Sequence, residues 1–200
     1  MAKKTGMAGA TGAIVLLVLA ACVQPATSQD ATGCFLARGT PEEAAARPSP
    51  LDSASVRLDG AEVKVCYGAP SANDREVMGG LVPFGTPWRA GANEATTLRV
   101  AAPVLVAGVR LEAGSYSLYV VPGSDSWEII LNGEHDRWGI PIDDDVRAAD
   151  VGSGTVTPES TGSMVERLTF RFEERDSDAA DLLMEWENTR VRIPVERVQQ

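Results

Sequence analysis

Lysine is almost missing from this chain. Beyond Lys3 and Lys4 it occurs once, as Lys64, and 28 acidic residues outnumber 18 basic ones for a formal charge of −10. A field of that sign opposes nucleic acid and anionic lipid surfaces, so nucleic acid is not an expected partner. Histidine also occurs once, as His135, and the three cysteines are widely separated. That excludes the paired ligand spacings of a metal site, and no cofactor is expected. A G-x-S-x-G elbow, an H-E-x-x-H pair, a phosphate-cradling P-loop and a dinucleotide fingerprint are all absent. No repeat with a period of 20–50 residues is present, which disfavours solenoids and propellers. Long apolar runs are lacking too. The apolar run at 13–21 falls far short of the roughly 20 residues that span a bilayer.

That short run has its own meaning. Lys3 and Lys4 precede it, and it ends in Leu19-Ala20-Ala21-Cys22. A basic start, a brief apolar stretch and small residues before a cysteine make the lipobox of a bacterial lipoprotein signal. Residues 1–21 are therefore expected to be removed, leaving Cys22 lipidated as the new N-terminus. Leu19 would make a poor A-x-A site for ordinary secretory cleavage. Acyl chains on Cys22 would hold the protein on a membrane. Val23, where an aspartate would retain a lipoprotein at the inner membrane, points to the periplasmic face of the outer membrane. Loss of Lys3 and Lys4 leaves 16 basic residues against 28 acidic ones, near −12. Residues 22–47 are rich in Ala, Thr, Ser, Pro and Glu without a clear period and read as a tether. Residues 48–196 form the body, enough for one domain with a sizeable core and not for two.

Two cysteines remain, Cys34 and Cys66. Outside the cytoplasm such a pair suggests a disulfide, which would contribute roughly 3–4 kcal/mol in the chain-entropy model. Two independent buried thiols are the alternative.

The body alternates with a period of two. Ser55-Val56-Arg57-Leu58 and Glu62-Val63-Lys64-Val65 flank Asp59-Gly60, the strongest short hairpin signal. Alternation continues through 98–100, 104–106, 109–111, 116–121 and 127–131, and again through 165–172, 181–186 and 191–195. Nine or ten strands are predicted, with brief helices only at 73–78 and 143–149. The expected fold is an all-β antiparallel sandwich, jelly-roll-like, with one or two short helices.

Several motifs then occur in a definite order. They are Ser49-Pro50, Val65-Cys66-Tyr67-Gly68-Ala69-Pro70, Arg75, Gly80-Leu81-Val82-Pro83-Phe84-Gly85, and the loop PWRAGANEAT at 87–96. Leu111-Glu112-Ala113-Gly114-Ser115-Tyr116-Ser117-Leu118, Trp127-Glu128-Ile129-Ile130-Leu131-Asn132 and Trp138-Gly139 follow. Together they resemble the bacterial domain-of-unknown-function 2911 family over about residues 48–196. The resemblance implies an exported bacterial protein with a β-rich domain and carries no established activity. Ala69 stands where a basic residue is expected before Pro70, so an anion site relying on that charge does not carry over.

PWRAGANEAT supports two readings. As a ligand site, Arg89 offers a planar fork, Trp88 a ring face, and Asn93 and Glu94 directional hydrogen bonds, with Arg75 as a second cation. As a clamp, Arg89 pairs with Glu94, Asn93 holds loop backbone groups and Trp88 caps the core. His135 could act as a base beside Glu134 or Asp136, but a histidine in an acidic turn is ordinarily just exposed. Asp143-Asp144-Asp145 lacks calcium-loop spacing and reads as an acidic helix start. Tyr116, Tyr119, Trp127 and Trp186 fall in alternating strands, where packing is the default role. The expectation is a membrane-anchored lipoprotein that binds an unknown small molecule or envelope component without chemistry. The alternative is a cell-envelope hydrolase-like enzyme using Arg75, Arg89, Asn93 and Glu94.

Overall fold

Asp59 and Gly60 both take positive φ, 45° and 77°, as a type I′ turn requires. They join β1 (Leu51–Leu58) to β2 (Ala61–Gly68) in a hairpin that closes at Leu58 opposite Ala61. This computed structural model describes residues 1–2 and 33–199. The signal segment and Cys22 lie outside the described residues.

The chain continues through β3 (Thr97–Val100), β4 (Val104–Val106), β5 (Val109–Leu111), β6 (Gly114–Val121) and β7 (Trp127–Asn132). After these come β8 (Asp150–Val156), β9 (Pro158–Asp176) and β10 (Ala179–Arg197). Six strands form one antiparallel sheet in the order β1-β2-β3-β6-β7-β8, and four form the other, β5-β4-β10-β9. The result is an all-β sandwich of two sheets with two short helices.

Strand alternation sends Val63, Val65, Tyr67, Leu98, Val100, Leu118, Val120, Ile129 and Leu131 inward from the first sheet. They meet Val104, Val106, Leu168, Phe170, Leu182, Met184, Trp186, Val191, Ile193 and Val195 of the second. Tyr67 and Phe170 touch across the sheets with ring centroids 4.7 Å apart. On the outer face of the second sheet, Arg171 and Arg190 flank Glu185, and Arg175 and Arg192 flank Asp181. Burial alone would raise the carboxyl of Glu185, but its two arginine partners outweigh that and hold it below its usual value.

Three local expectations change. Residues 73–78 form no helix: Asn73 and Asp74 sit at φ 50° and 58°, a left-handed pair that cannot begin an α-helical turn. The runs at 181–186 and 191–195 belong to one strand, β10, which bulges around Glu187 rather than ending there. At that bulge the Glu187 carboxylate accepts hydrogen bonds from the backbone of Val77 and Met78. β8 has no alternating signature, since its sequence is DVGSGTV. It forms by pairing along β7, from Trp127 opposite Val156 to Asn132 opposite Asp150, and Gly154 leaves room for the Ala107 carbonyl, which a Cβ there would meet at 2.0 Å.

The other face of the first sheet is covered in part. Residues 33–47, counted above with the tether, pack on it from Cys34 onward, with Cys34, Leu36 and Ala44 buried. Within them α1 (Pro41–Ala45) starts in a capping box between Thr40 and Glu43. Cys34 and Cys66 form a disulfide closing a span of 32 residues, with Cα atoms 5.8 Å apart. The second helix, α2 (Asp144–Arg147), is capped by Asp143, whose side chain accepts from the Val146 backbone. This matches the acidic helix start expected at 143–145.

Candidate functional site

The loop at 87–96 fills a gap in the first sheet. β3 is only four residues long, so the second half of β6 lacks a strand partner there. Leu118 donates to the Thr96 carbonyl at 2.8 Å, and Val120 exchanges two hydrogen bonds with Trp88 at 2.8 and 2.9 Å. The Trp88 ring, half-buried, stacks on Trp186 with centroids 5.9 Å apart and planes 22° from parallel. Trp88 is therefore anchored through both backbone and ring.

Past Trp88 the loop turns through Ala90 at φ 51°, a left-handed conformation unusual for alanine. Thr96 Oγ1, fully buried, donates to the Ala90 carbonyl at 3.0 Å and holds the turn closed. Gly68 makes the crossing possible, because a Cβ there would stand 2.0 Å from the Ala92 oxygen. Asn93, at φ 65°, donates from its amide to the Ser49 carbonyl at 2.8 Å. Its own carbonyl accepts from Gly139 at 2.8 Å.

Glu94 is 2 % exposed, and its partner is not Arg89. Arg47 Nη1 donates to both carboxylate oxygens, at 3.0 and 2.9 Å, and the Ala37 backbone donates to Oε1 at 3.2 Å. Arg47 also donates to the Arg38 carbonyl, and Arg38 lies over the Trp138 ring 4.2 Å from its centroid. Trp138 bridges Glu94 in turn, and Ala95 donates to the Arg137 carbonyl at 3.1 Å. The two signature motifs, PWRAGANEAT and Trp138-Gly139, are thus pressed together. Gly139 is required between them, since a Cβ there would stand 2.3 Å from Arg89 Cδ.

Arg89 gives one hydrogen bond from Nε to the Gly91 carbonyl at 3.2 Å. Burial lowers its pKa, and the charge of nearby Glu94 opposes that shift. Arg75 caps its own turn, donating to the Ala72 and Ser71 carbonyls at 2.8 and 2.9 Å. Trp88, Arg89, Asn93 and Glu94 therefore sit in one clamp, while the hydrogen bonds of Arg75 go to a separate turn. His135 Nδ1 lies 2.9 Å from Asp136 Oδ1 without the alignment of a hydrogen bond, so it has no hydrogen-bond partner among the described residues.

A second location was not foreseen. On the outer face of the first sheet, Lys64 pairs across strands with Arg99, and Arg99 with Ser115. Beside them a cavity of about 120 Å³ is lined by Cys34, Phe35, Cys66, Thr97, Arg99, Ser115, His135 and Asp136, with Gly33 at its edge. A shallower groove of about 370 Å³ shares Gly33, Arg99 and Ser115 and adds Glu62 and Lys64. Glu62, Lys64, Thr97, Arg99 and Ser115 occupy outward positions of alternating strands, and His135 and Asp136 reach the cavity from the segment after β7. Only the strand register, fixed by the whole sheet, sets them side by side.

Among the described residues no group of His, Cys, Asp and Glu is placed to hold a metal ion. No helix among them is long and apolar enough to cross a membrane. No curated protein and no solved structure matches this chain. One family model does, "Protein of unknown function (DUF2911)", over residues 49–195. That span holds the strands of both sheets and the whole signature loop, while Ala37, Arg38 and Arg47 of the clamp stand just before it, and so the chain belongs to the DUF2911 family.

Proposed function

We propose that this chain is a lipid-anchored, extracytoplasmic bacterial protein whose sandwich binds a small ligand or envelope partner without catalysing a reaction. The observation that carries the non-catalytic half is the commitment of the signature loop's polar groups to the fold. Both carboxylate oxygens of Glu94 are held by Arg47, and the Asn93 amide is held by Ser49. A hydrolase built on this loop would need a carboxylate able to take and release a proton. Glu94 is enclosed with both oxygens bonded to Arg47, so a substrate has no access to it. The lipobox at Leu19–Cys22 supports the anchor and the envelope address, with Val23 favouring the outer membrane.

Two measurements test this reading. Metabolic labelling with a fatty-acid probe is expected to mark the wild-type chain and to fail for Cys22→Ala; an unlabelled wild type refutes the anchor. A thermal-shift screen of the full chain against sugars, peptidoglycan fragments, phosphates and organic acids is expected to find a stabilising compound. A ligand at 100 times its dissociation constant adds about 2.7 kcal/mol. Turnover of any of these compounds would refute the non-catalytic reading.

A further inference from the structure

The cross-strand pair Lys64–Arg99 is the point of departure. Like charges directly opposite each other on one face of a sheet are destabilising. This chain is strongly acidic, has no other lysine past position 4, and still places its lysine next to an arginine. The Arg99 guanidinium is exposed and makes no hydrogen bond or ion pair with any described residue. Ser115, next in the same row, turns its hydroxyl to the same face. Thr97 and His135 line the adjoining cavity, whose floor is the Cys34–Cys66 disulfide.

Two buried polar atoms nearby also lack hydrogen-bond partners among the described residues. One is His135 Nδ1, of a residue in the cavity wall, with Asp136 Oδ1 2.9 Å away but not aligned for a hydrogen bond. The other is Ser117 Oγ, fully buried and directly opposite Thr97 on the same face of the sheet. Arg99, Thr97, Ser115 and His135 thus line one concave spot, and Lys64 lines the groove beside it. Glu62 and Asp136 border it and keep its net charge small. Such a rim suits a compact anion and repels an extended polyanion.

We propose that this groove is a binding site for a small oxyanion, a carboxylate or phosphate group of the ligand. Arg99 faces the anion's oxygens, Ser115 donates its hydroxyl, and Lys64 adds its charge from the neighbouring strand. Arg99 is the selective element, because its planar fork meets two oxygens at once. The cavity of about 120 Å³ takes the rest of a ligand of few atoms. The proposal rests on the binding reading above and names the chemistry of the ligand.

The test uses the full chain, with inorganic phosphate and succinate as probes at constant ionic strength and sodium chloride as the control. Wild type is expected to melt at a higher temperature with at least one probe than in chloride. Arg99→Gln is expected to weaken that response about ten-fold or more, as for loss of a charged hydrogen-bond donor. Without a probe, Arg99→Gln should melt no lower than wild type, because the substitution removes a like charge from the position opposite Lys64. Phosphate also stabilises proteins generally by exclusion from their surfaces, and that part survives in the variant. Ser115→Ala, which keeps both cations, is expected to weaken the response by a smaller factor. Equal responses from wild type and Arg99→Gln, or none beyond chloride, overturn the site. If an uncharged compound stabilises both proteins equally, the anion site is refuted and the binding reading stands. If no compound in either series acts, both fall.

Discussion

Arg47 holds Glu94 through both carboxylate oxygens, at 3.0 and 2.9 Å, across 47 residues of chain. The pair ties the segment before β1 to the family's signature loop, and Glu94 is almost wholly shielded from water. Removing the guanidinium leaves a buried carboxylate without its cation. Arg47→Ala is expected to cost about 3–5 kcal/mol in denaturant unfolding. Arg89→Ala loses one bond to a backbone carbonyl and should cost only about 1 kcal/mol, apart from lost packing on Gly139. If Arg89→Ala is the costlier of the two, the clamp has been assigned to the wrong arginine.

Gly68→Ala tests the crossing of the loop over β2. The added methyl would stand 2.0 Å from the Ala92 oxygen, an atom of the backbone that cannot rotate away. A loss of about 1–3 kcal/mol or more is expected, read as a lower midpoint of chemical denaturation. Gly60→Ala has open space around it and tests only the positive φ of the turn, so it should be milder. Equal effects would show that steric crowding at Gly68 is not what matters.

The Cys34–Cys66 bridge closes 32 residues and holds the N-terminal segment on the outer face of the first sheet. Replacing both cysteines by serine is expected to lower stability by roughly 3–4 kcal/mol. Counting thiols in the denatured, unreduced protein should find neither of these two reactive. Two reactive thiols from positions 34 and 66 would disprove the bond.

Acid should weaken the second sheet in a definite direction. The Glu185 carboxyl is held below its usual 4.5 by Arg171 and Arg190, despite burial that pushes the other way. A carboxylate with a depressed pKa contributes its stability fully above the unfolded value. That contribution is lost as pH falls through the lower, folded value. Wild-type stability should therefore decline as pH drops below about 4.5. Glu185→Gln should be less stable at neutral pH and show a shallower decline in acid. An unchanged acid slope in this variant would remove Glu185 from the account.

Much of the fold was legible in the sequence because it rests on local rules. The Asp59-Gly60 turn needs only two residues that tolerate positive φ, and the flanking alternation places one face of each strand in the core. The Asp143 cap of α2 is equally local. β8 was not legible, since it is held as a strand by its pairing with β7, and its glycines serve close approaches such as that of Ala107 to Gly154, residues 47 apart. The break expected between 186 and 191 failed for a similar reason. Glu187 continues β10 through a bulge, where its carboxylate is held by backbone groups about 110 positions earlier.

The signature loop divides along the same line. Sequence adjacency put Arg89 and Glu94 in one short stretch and made their pairing the natural expectation. Packing instead brought Arg47 to Glu94, and left Arg89 on a carbonyl two residues away. By itself, the sequence determined the alternation, the hairpin turn, the acidic charge and the motifs that mark the family, because each depends on neighbours a few residues apart. Which cation meets which carboxylate, and that Lys64, Arg99 and Ser115 stand in one row, was decided only by the tertiary structure. Register and loop crossings are set by burial of the whole core, and no short stretch of chain contains that information.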